Sequence, residues 1–450
     1  MTVKVRFAPS PTGRIHAGNV RAALVNWLFA HRQKGVFVLR IDDTDLERST
    51  RENEDLIETD LKWLGLTWEE RYNQSRRFDI YQKAADYLKA AGRLYPAYET
   101  AEELDRRRKV QLSRGLPPVY DRAALSLSDD DKATFEAEGR KAHWRFRLDG
   151  KRVAWDDLVR GHCEVDTTSM SDPVLIREDG AFLYTLPSVV DDMDMKISHV
   201  IRGEDHVANT GTQLEIFEAL QGLFAAPLPQ FAHMPLLVGN DGEGLSKRLG
   251  SMSISQMRDD GLEPLAIVSH LAKIGTSDPL EAAPSLEALA EMQDFAKMGR
   301  APARYDVDDL MRLNAAVLQH MPYAEARPRL AALGAYFLPE DRGELFWETV
   351  RQNISKFSDV SEWRDIVAGD IAPRIEDAAF ISRTLELLPS PYGRDSWQSW
   401  TAAIKEATGA KGRALFMPLR QALTGQDHGP DMGALSFLIG RDKIAQRLGG

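Results

Sequence analysis

Two short stretches of this chain carry residue types suited to handling phosphate. The first runs Ser10-Pro-Thr-Gly-Arg-Ile-His-Ala-Gly-Asn19. A loop that leads into a helix turns backbone N–H groups and the positive helix end towards whatever sits above it, which makes an anion site by geometry. His16 can donate to a phosphate oxygen, and Gly18 lets a ligand approach the backbone. The spacing matches neither GxxxxGK[ST] nor GxGxxG. Taken alone, the loop reads more readily as an ordinary turn with a capping histidine. The second stretch, Gly239-Asn-Asp-Gly-Glu-Gly244, precedes Leu245-Ser-Lys-Arg248. Glycines beside Lys247 suggest a loop that delivers a cation. A cation aimed at a triphosphate offsets charge that develops in phosphoryl or nucleotidyl transfer. Taken alone, a solvated basic loop is the favoured reading.

The elements around the first stretch fit that chemistry. Val3, Val5 and Phe7 alternate with Lys4 and Arg6, as in a short strand. Val20, Ala23, Leu24, Trp27 and Leu28 then recur at helical spacing, and Gly35 ends the run. Residues 36 to 41 form a second apolar strand. Strand, loop, helix and strand make the unit of a parallel nucleotide-binding sheet. Residues 102 to 111 read as a charged helix broken by Pro117-Pro118, and residues 126 to 131 as a polar turn. Trp144-Arg-Phe-Arg-Leu148 alternates like a half-exposed strand. Sheet character returns from Val174, with Val189-Val190 before an acidic turn and a strand at 198 to 201. The simplest organisation is an insertion over about 86 to 184. Beyond about residue 255 the pattern is helical. Phe380, Ile381, Thr384, Leu385 and Leu388 make one stripe, and Trp400, Ala403, Ile404 and Ala407 another, capped at Gly409.

Composition narrows the class. At 450 residues the chain is long enough for roughly two to four domains. It is 43% hydrophobic and 28% charged, which excludes a disordered chain. A net charge of −11 argues against a simple basic nucleic-acid binder. That sum hides unlike regions, because residues 1 to 50 hold eight Lys or Arg against four acids. The single Cys163 excludes an internal disulfide and any zinc site with two thiolates. It fits a reducing, cytoplasmic setting. The N-terminus has no apolar signal core, and no run is long enough to span a membrane.

Taken together, the two stretches are more specific than either alone. The order Pro-x-Pro-Thr-Gly-x-x-His-x-Gly, then Ser-Lys-Arg more than 200 residues later, resembles the class I aminoacyl-tRNA synthetases. More narrowly, Arg6-Phe-Ala-Pro-Ser-Pro-Thr-Gly13, Leu39-Arg-Ile-Asp-Asp-Thr-Asp45, Val200-Ile-Arg-Gly-Glu-Asp-His206 and Leu245-Ser-Lys-Arg248 resemble glutamyl-tRNA synthetases. Pro302-Ala-Arg-Tyr-Asp306, Leu313-Asn314 and the run from Phe416 to Gly425 extend the likeness to the end of the chain. The resemblance implies an α/β Rossmann-like catalytic domain with an inserted α+β acceptor-binding domain, followed by an all-helical stem-contact and anticodon-binding region. The expected divisions are 1–85 with 185–245, 86–184, 246–315 and 316–450.

The resemblance also implies roles. The reaction would use ATP with Mg²⁺, form glutamyl-adenylate, and pass glutamate to tRNA(Glu), with tRNA(Gln) left open as a second acceptor. His16 and Lys247 would be catalytic, acting on charge and not as nucleophiles. His16, Gly18, Asn19, Ser246, Lys247 and Arg248 would contact the phosphates, Asp205 the ribose, and the backbone of Leu236 and Val238 the adenine. Glutamate brings two carboxylates and one ammonium. Arg6 and Arg202 offer the forks that carboxylates accept, in either assignment. Asp42, assisted by Ser10 beside Ala8, would take the ammonium, and Tyr184 and Ser188 would complete the pocket. Three positions depart from the family pattern: Gly244 replaces a lysine, Asp42 a glutamate of many bacterial members, and Ser188 a common asparagine. The insertion would grip the acceptor end through Arg145 and Arg147, within a basic run that Trp144 and Phe146 interrupt. No cysteine stands near Tyr95 or Tyr120, where some members bind zinc, so no zinc is expected. A monomer is expected.

Alternatives are separable. A glutaminyl-tRNA synthetase would waste the charge of Arg202 on an amide, and its anticodon region is built of β-barrels. A truncated enzyme that glutamylates a tRNA base would lack the last third. A non-catalytic tRNA-binding paralogue predicts loss of His16, Lys247 or a pocket arginine, and a small-molecule ligase predicts no large helical region.

Overall fold

The computed structural model describes residues 2–239, 241–243, 253–335 and 340–449. The chain divides into two compact units, Met1–Met257 with Val268–Asp306, and Arg258–Ile267 with Val307–Gly450.

The first unit is built on parallel strands. Its opening elements are β1 (Lys4–Phe7), α1 (Ala17–Arg32), β2 (Val36–Ile41), α2 (Arg51–Trp63), β3 (Glu70–Asn73) and α3 (Phe78–Ala90). β2 has the sequence VFVLRI and is buried from Phe37 to Ile41, the mark of a strand covered on both faces. It pairs in parallel with β1 on one side and β3 on the other. Helix α1 lays Val20, Leu24, Trp27 and Leu28 inward. Later strands β4 (Leu94–Ala97), β5 (His143–Phe146), β6 (Arg152–Asp157), β7 (Gly161–Asp166), β8 (Val174–Ile176), β9 (His199–Gly203) and β10 (Gln230–Met234) divide between two sheets. The intervening helices are α4 (Ala101–Ser113), α5 (Asp129–Ala137), α6 (Thr185–Asp194) and α7 (Val207–Phe224).

β9 and β10 pair in parallel, and β9 meets β1 where the Ser198 N–H donates to the Lys4 carbonyl at 2.8 Å. The order across is therefore β3, β2, β1, β9, β10. Strand order reverses between β1 and β9, and a crevice opens at the carboxyl ends of the strands at such a point. β6 adds to the far side of β10 through Phe231 and Asp157, and β7 pairs antiparallel with β6. The hairpin of β6 and β7 thus lies between β5 and β8 in sequence, yet belongs to the sheet of β9 and β10.

β4, β5 and β8 form a separate antiparallel sheet. Asp172, fully buried, knits this part together. It accepts from the Tyr95 hydroxyl at 2.6 Å, from Arg122 at 2.8 Å and from the Leu148 N–H at 3.0 Å. Helix α4 starts from a capping box made by Thr100 and Glu103 and buries none of its residues.

One local expectation is overturned. Val189-Val190 and the following acids are not a strand and turn but the middle of α6. Asp191 and Asp192 are buried, and arginines answer both, so tertiary pairing overrides the β preference of the two valines. The polar run at 126 to 131 contains the Ser128–Asp131 capping box that starts α5. Among the described residues, no helix is long and apolar enough to cross a membrane.

The second unit is helical. Trp347, Trp400, Phe346 and Leu419 lie at the centre of its core. Both indoles satisfy their N–H groups, Trp347 on the Met321 carbonyl and Trp400 on the Thr384 carbonyl, each at 2.9 Å. Helix Ser396–Thr408 ends at Gly409, whose φ of 72° is the left-handed cap expected there. Arg447 ties the last helix down by donating to the carbonyls of Leu423 and Ile366, both at 2.6 Å. Trp400→Ala should therefore cost this unit about 3–5 kcal/mol. Urea unfolding followed by circular dichroism should show the loss, with Trp400→Phe, which loses the N–H and part of the ring volume, giving a smaller one.

Candidate active site

A cavity of about 1010 Å³ opens at the switch point, between the ends of β1, β9 and β10 and the start of α1. His16 is the N-cap of α1. Its Nδ1 accepts from the Gly18 N–H at 3.2 Å, and the Asn19 side chain accepts from the His16 N–H at 3.4 Å. The capping role and the lining role therefore coexist. With Nδ1 used as an acceptor, the ring proton sits on Nε2. Burial pulls the imidazole pKa down and keeps it neutral. His16 thus brings a neutral N–H donor to the cavity. A Cβ on Gly18 would press on the His16 ring at 3.2–3.3 Å, so the glycine preserves this cap.

Gly244, Ser246, Lys247 and Arg248 lie outside the described residues. Leu237 lines the cavity, and Ser253 forms an antiparallel bridge with His16. Leu236 and Asp205 also line it, but Val238 does not. The carbonyls of Leu236 and Val238 accept from the N–H groups of Ala303 and Tyr305 at 2.9 and 2.8 Å. By strand alternation, the backbone edge left open is that of Leu237.

Arg6, Ala8, Ser10, Asp42, Tyr184 and Arg202 gather at the cavity as well. The two arginines differ in what holds them. Arg6 grips Asp192 with two donors, at 3.0 and 3.3 Å. Fully buried Arg40 donates to both oxygens of Asp42, at 2.7 and 3.1 Å, and to Asp192 at 2.9 Å. Asp191 receives Gln74, Arg77 and the Tyr81 hydroxyl at 2.8–3.0 Å, and Arg77 also holds Asp194 at 2.6 Å. Arg6, Arg40 and Arg77 therefore face Asp42, Asp191, Asp192 and Asp194, three positive groups against four negative. Burial disfavours charge on Arg40, but Asp42, Asp192 and Asp191 overcome it and raise its pKa. Burial, with Asp191 nearby, outweighs the Arg40 contact on Asp42 and lifts that carboxyl to about 6.

Arg202 has no carboxylate within 4 Å among the described residues. It is 7% exposed. Its NH2 donates to Thr210 at 2.8 Å and to Gln213 at 2.7 Å, and its Nε to His233 at 3.3 Å. Among the described residues, only the Tyr184 hydroxyl, at 3.5 Å, meets NH1. Burial lowers the pKa of this guanidinium. A buried cation is thus held by neutral acceptors, with its NH1 end open for an anion.

Two predicted residues stand apart. Ser188 is 1% exposed, does not line the cavity, and its hydroxyl has no partner among the described residues. Arg145 is buried. It donates to His143 and the Asp172 carbonyl, and its guanidinium stacks 4.0 Å over Tyr120, whereas Arg147 is exposed. Sequence reasoning missed Arg40, Asp191 and Asp192, and also His233 and Asp157 behind Arg202. Arg40 had a signal, since it and Asp42 share one face of an otherwise apolar strand. His233 and Asp157 are isolated residues with none.

Residues 2–311 match the family of class I tRNA synthetases (E and Q), catalytic domain, and residues 326–449 match the anticodon binding domain. Glutamate–tRNA ligase 1 of Maricaulis maris is 56% identical over 449 residues, covering 99% of each chain. Glutamate–tRNA ligase 2 of Hyphomonas neptunium is 57% identical over 447 residues, also covering 99% of each. The crystal structure of a glutamate tRNA ligase from Elizabethkingia meningosepticum, in complex with its amino acid, superposes with a TM-score of 0.88 at 27% identity, over 100% of this chain and 99% of that one. The chain belongs to the glutamate–tRNA ligases, within the class I tRNA synthetases.

Proposed function

We propose that this enzyme joins L-glutamate to tRNA at the expense of ATP. A carboxylate oxygen of glutamate attacks the α-phosphorus, the bond to the β-phosphate oxygen breaks, and glutamyl-adenylate and diphosphate form. The terminal ribose hydroxyl of tRNA then attacks the glutamyl carbonyl, and AMP leaves. The observation that carries this reading is Arg202, a buried cation without a carboxylate beside a cluster with one excess negative charge. A zwitterion with a second carboxylate complements both. Glutamine would leave that cation facing an amide.

In this reading Arg202 takes a glutamate carboxylate through NH1, with Tyr184 beside it. Arg6 is the more constrained of the two arginines, because Asp192 already neutralises it. Asp42 and Ser10 take the ammonium. His16, Gly18 and Asn19 meet the phosphates, Lys247, Ser246 and Arg248 close on them, Asp205 meets the ribose, and Leu236 and its neighbour Leu237 meet the adenine. Class I synthetases use ATP, generally with Mg²⁺. The exposed Arg147 is the better placed of the two insertion arginines for RNA. We further propose the division into 1–85 with 185–245, 86–184, 246–315 and 316–450, a zinc-free insertion, a monomer, and action in the cytoplasm.

ATP–diphosphate exchange with glutamate, with and without tRNA, tests the activity, and its absence together with absent charging would end this reading. Charging of purified tRNA(Glu) and tRNA(Gln) decides whether the second acceptor is used. Lys247→Ala should slow adenylate formation by about 10²–10³-fold. Filter binding should show tRNA affinity nearly unchanged, and equal loss of both would remove the role assigned to it. Asp42 also sets a pH dependence. Its carboxyl is protonated below about pH 6, and the neutral form cannot pair with an ammonium. Glutamate affinity should therefore fall by about tenfold for each pH unit below that point. Isothermal titration from pH 5 to 8 should show the slope, and Asp42→Asn should flatten it.

A further inference from the structure

Behind Arg202 stands a buried pair that no step above uses. His233 and Asp157 are both buried. His233 Nδ1 lies 2.6 Å from Asp157 Oδ2. The other carboxylate oxygen, Oδ1, accepts the backbone N–H groups of Val159, Arg160 and His233 at 3.0–3.1 Å. These hydrogen bonds outweigh the cost of burial and pull the Asp157 carboxyl down to about 2, so it is an anion. Burial, with Arg202 nearby, lowers the His233 pKa against the pull of Asp157, so the ring is neutral. Its one proton lies on Nδ1, facing the carboxylate. Nε2 is then a lone pair, and the Nε–H of Arg202 and the Thr210 hydroxyl both reach it, at 3.3 and 3.0 Å.

We infer that Asp157 and His233 are positioning residues of the amino-acid pocket, which fix the fork of Arg202 by holding His233 in the tautomer that accepts from it. The inference rests on the reading of Arg202 as the anchor for a glutamate carboxylate. An arginine has five N–H groups. Gln213, Thr210 and His233 use three of them, all on Nε and NH2. The guanidinium plane is thereby set, and NH1 faces the substrate. With the proton on Nε2 instead, His233 would present N–H to N–H at 3.3 Å, and the plane would have to turn. The pairing also explains why a strand from the inserted span lies against β10. The Phe231–Asp157 register brings the carboxylate to the ring of His233, two residues along β10.

Asp157→Asn isolates the tautomer. The amide oxygen can keep the three backbone N–H groups, but the NH₂ that replaces Oδ2 donates to His233 Nδ1 and drives the proton to Nε2. Glutamate KM should rise tenfold or more, while ATP KM stays within about twofold. In ¹⁵N-histidine-labelled enzyme the His233 signals should switch from the Nδ1–H to the Nε2–H pattern. A switched tautomer with unchanged glutamate KM would overturn the inference, and so would equal rises for glutamate and ATP. His233→Gln and His233→Phe keep the test open should Asp157→Asn fail to fold. The glutamine carbonyl can replace the Nε2 acceptor, so glutamate KM should stay within about threefold for glutamine and rise at least tenfold for phenylalanine. Equal loss in both overturns the inference. Arg202→Ala separates it from its premise. If that variant keeps its glutamate KM, the anchor reading fails and the inference with it. If that variant loses glutamate but Asp157→Asn does not, only the positioning role fails.

Discussion

A guanidinium keeps its charge even in a dry site, so the cost of burying it has to be offset, and this site answers its arginines in two ways. Arg6, Arg40 and Arg77 are matched by buried aspartates. Arg202 is matched by a hydroxyl, an amide oxygen and an imidazole lone pair. The first kind of pairing is complete without a ligand. The second leaves a cation whose burial, worth several kcal/mol for an isolated ion, is only partly offset. In the proposed reading a ligand carboxylate supplies the rest. Arg21 follows the second pattern at the other side of the cavity. It donates to the carbonyls of Pro235 and Ile274, and burial lowers its pKa to about 10, which still leaves it charged at neutral pH. The strand order that opens a crevice between β1 and β9 matters because it sets these unlike arginines around one space.

The parts of the fold legible in the sequence are those written in one continuous stretch. β2 was readable because every residue from Phe37 to Ile41 is buried, and α1 because one face is apolar. His16, Gly18 and Asn19 sit close together in one loop, so their grouping needed no knowledge of the sheet. What was hidden depends on strands far apart in sequence. Asp157 and His233 are 76 residues apart and meet only because β6 lies beside β10. Val189 to Asp192 misled for the opposite reason. Two β-branched residues before two acids look like a strand end, until Arg6, Arg40 and Arg77 arrive to bury the acids in a helix. Arg145 looked like a surface cation because alternation cannot show the Asp172 carbonyl and the Tyr120 ring that bury it, while Arg147, two residues on, stays exposed.

The inserted sheet shows the same limit from another side. Its lack of cysteine was plain, but not what joins its strands and loops. Asp172 does so, drawing in the Tyr95 hydroxyl, Arg122 and the Leu148 N–H, with Arg145 stacked on Tyr120 nearby. Charge-assisted hydrogen bonds of this kind are directional, and they can hold strand ends in register.

Helix α4 is the counterpart to all this burial. None of its residues is buried, and it leans on a capping box and on surface pairs such as Lys109 with Asp105 and Arg140 with Glu103. Isolated helices of its length are marginal in water. Its backbone amides should therefore exchange with solvent by local opening, ahead of those of the paired strands β9 and β10. Arg202, at the cavity, thus stands on a strand inside the sheet, whereas Arg106, Arg107, Arg108 and Lys109 stand on a helix that buries no residue.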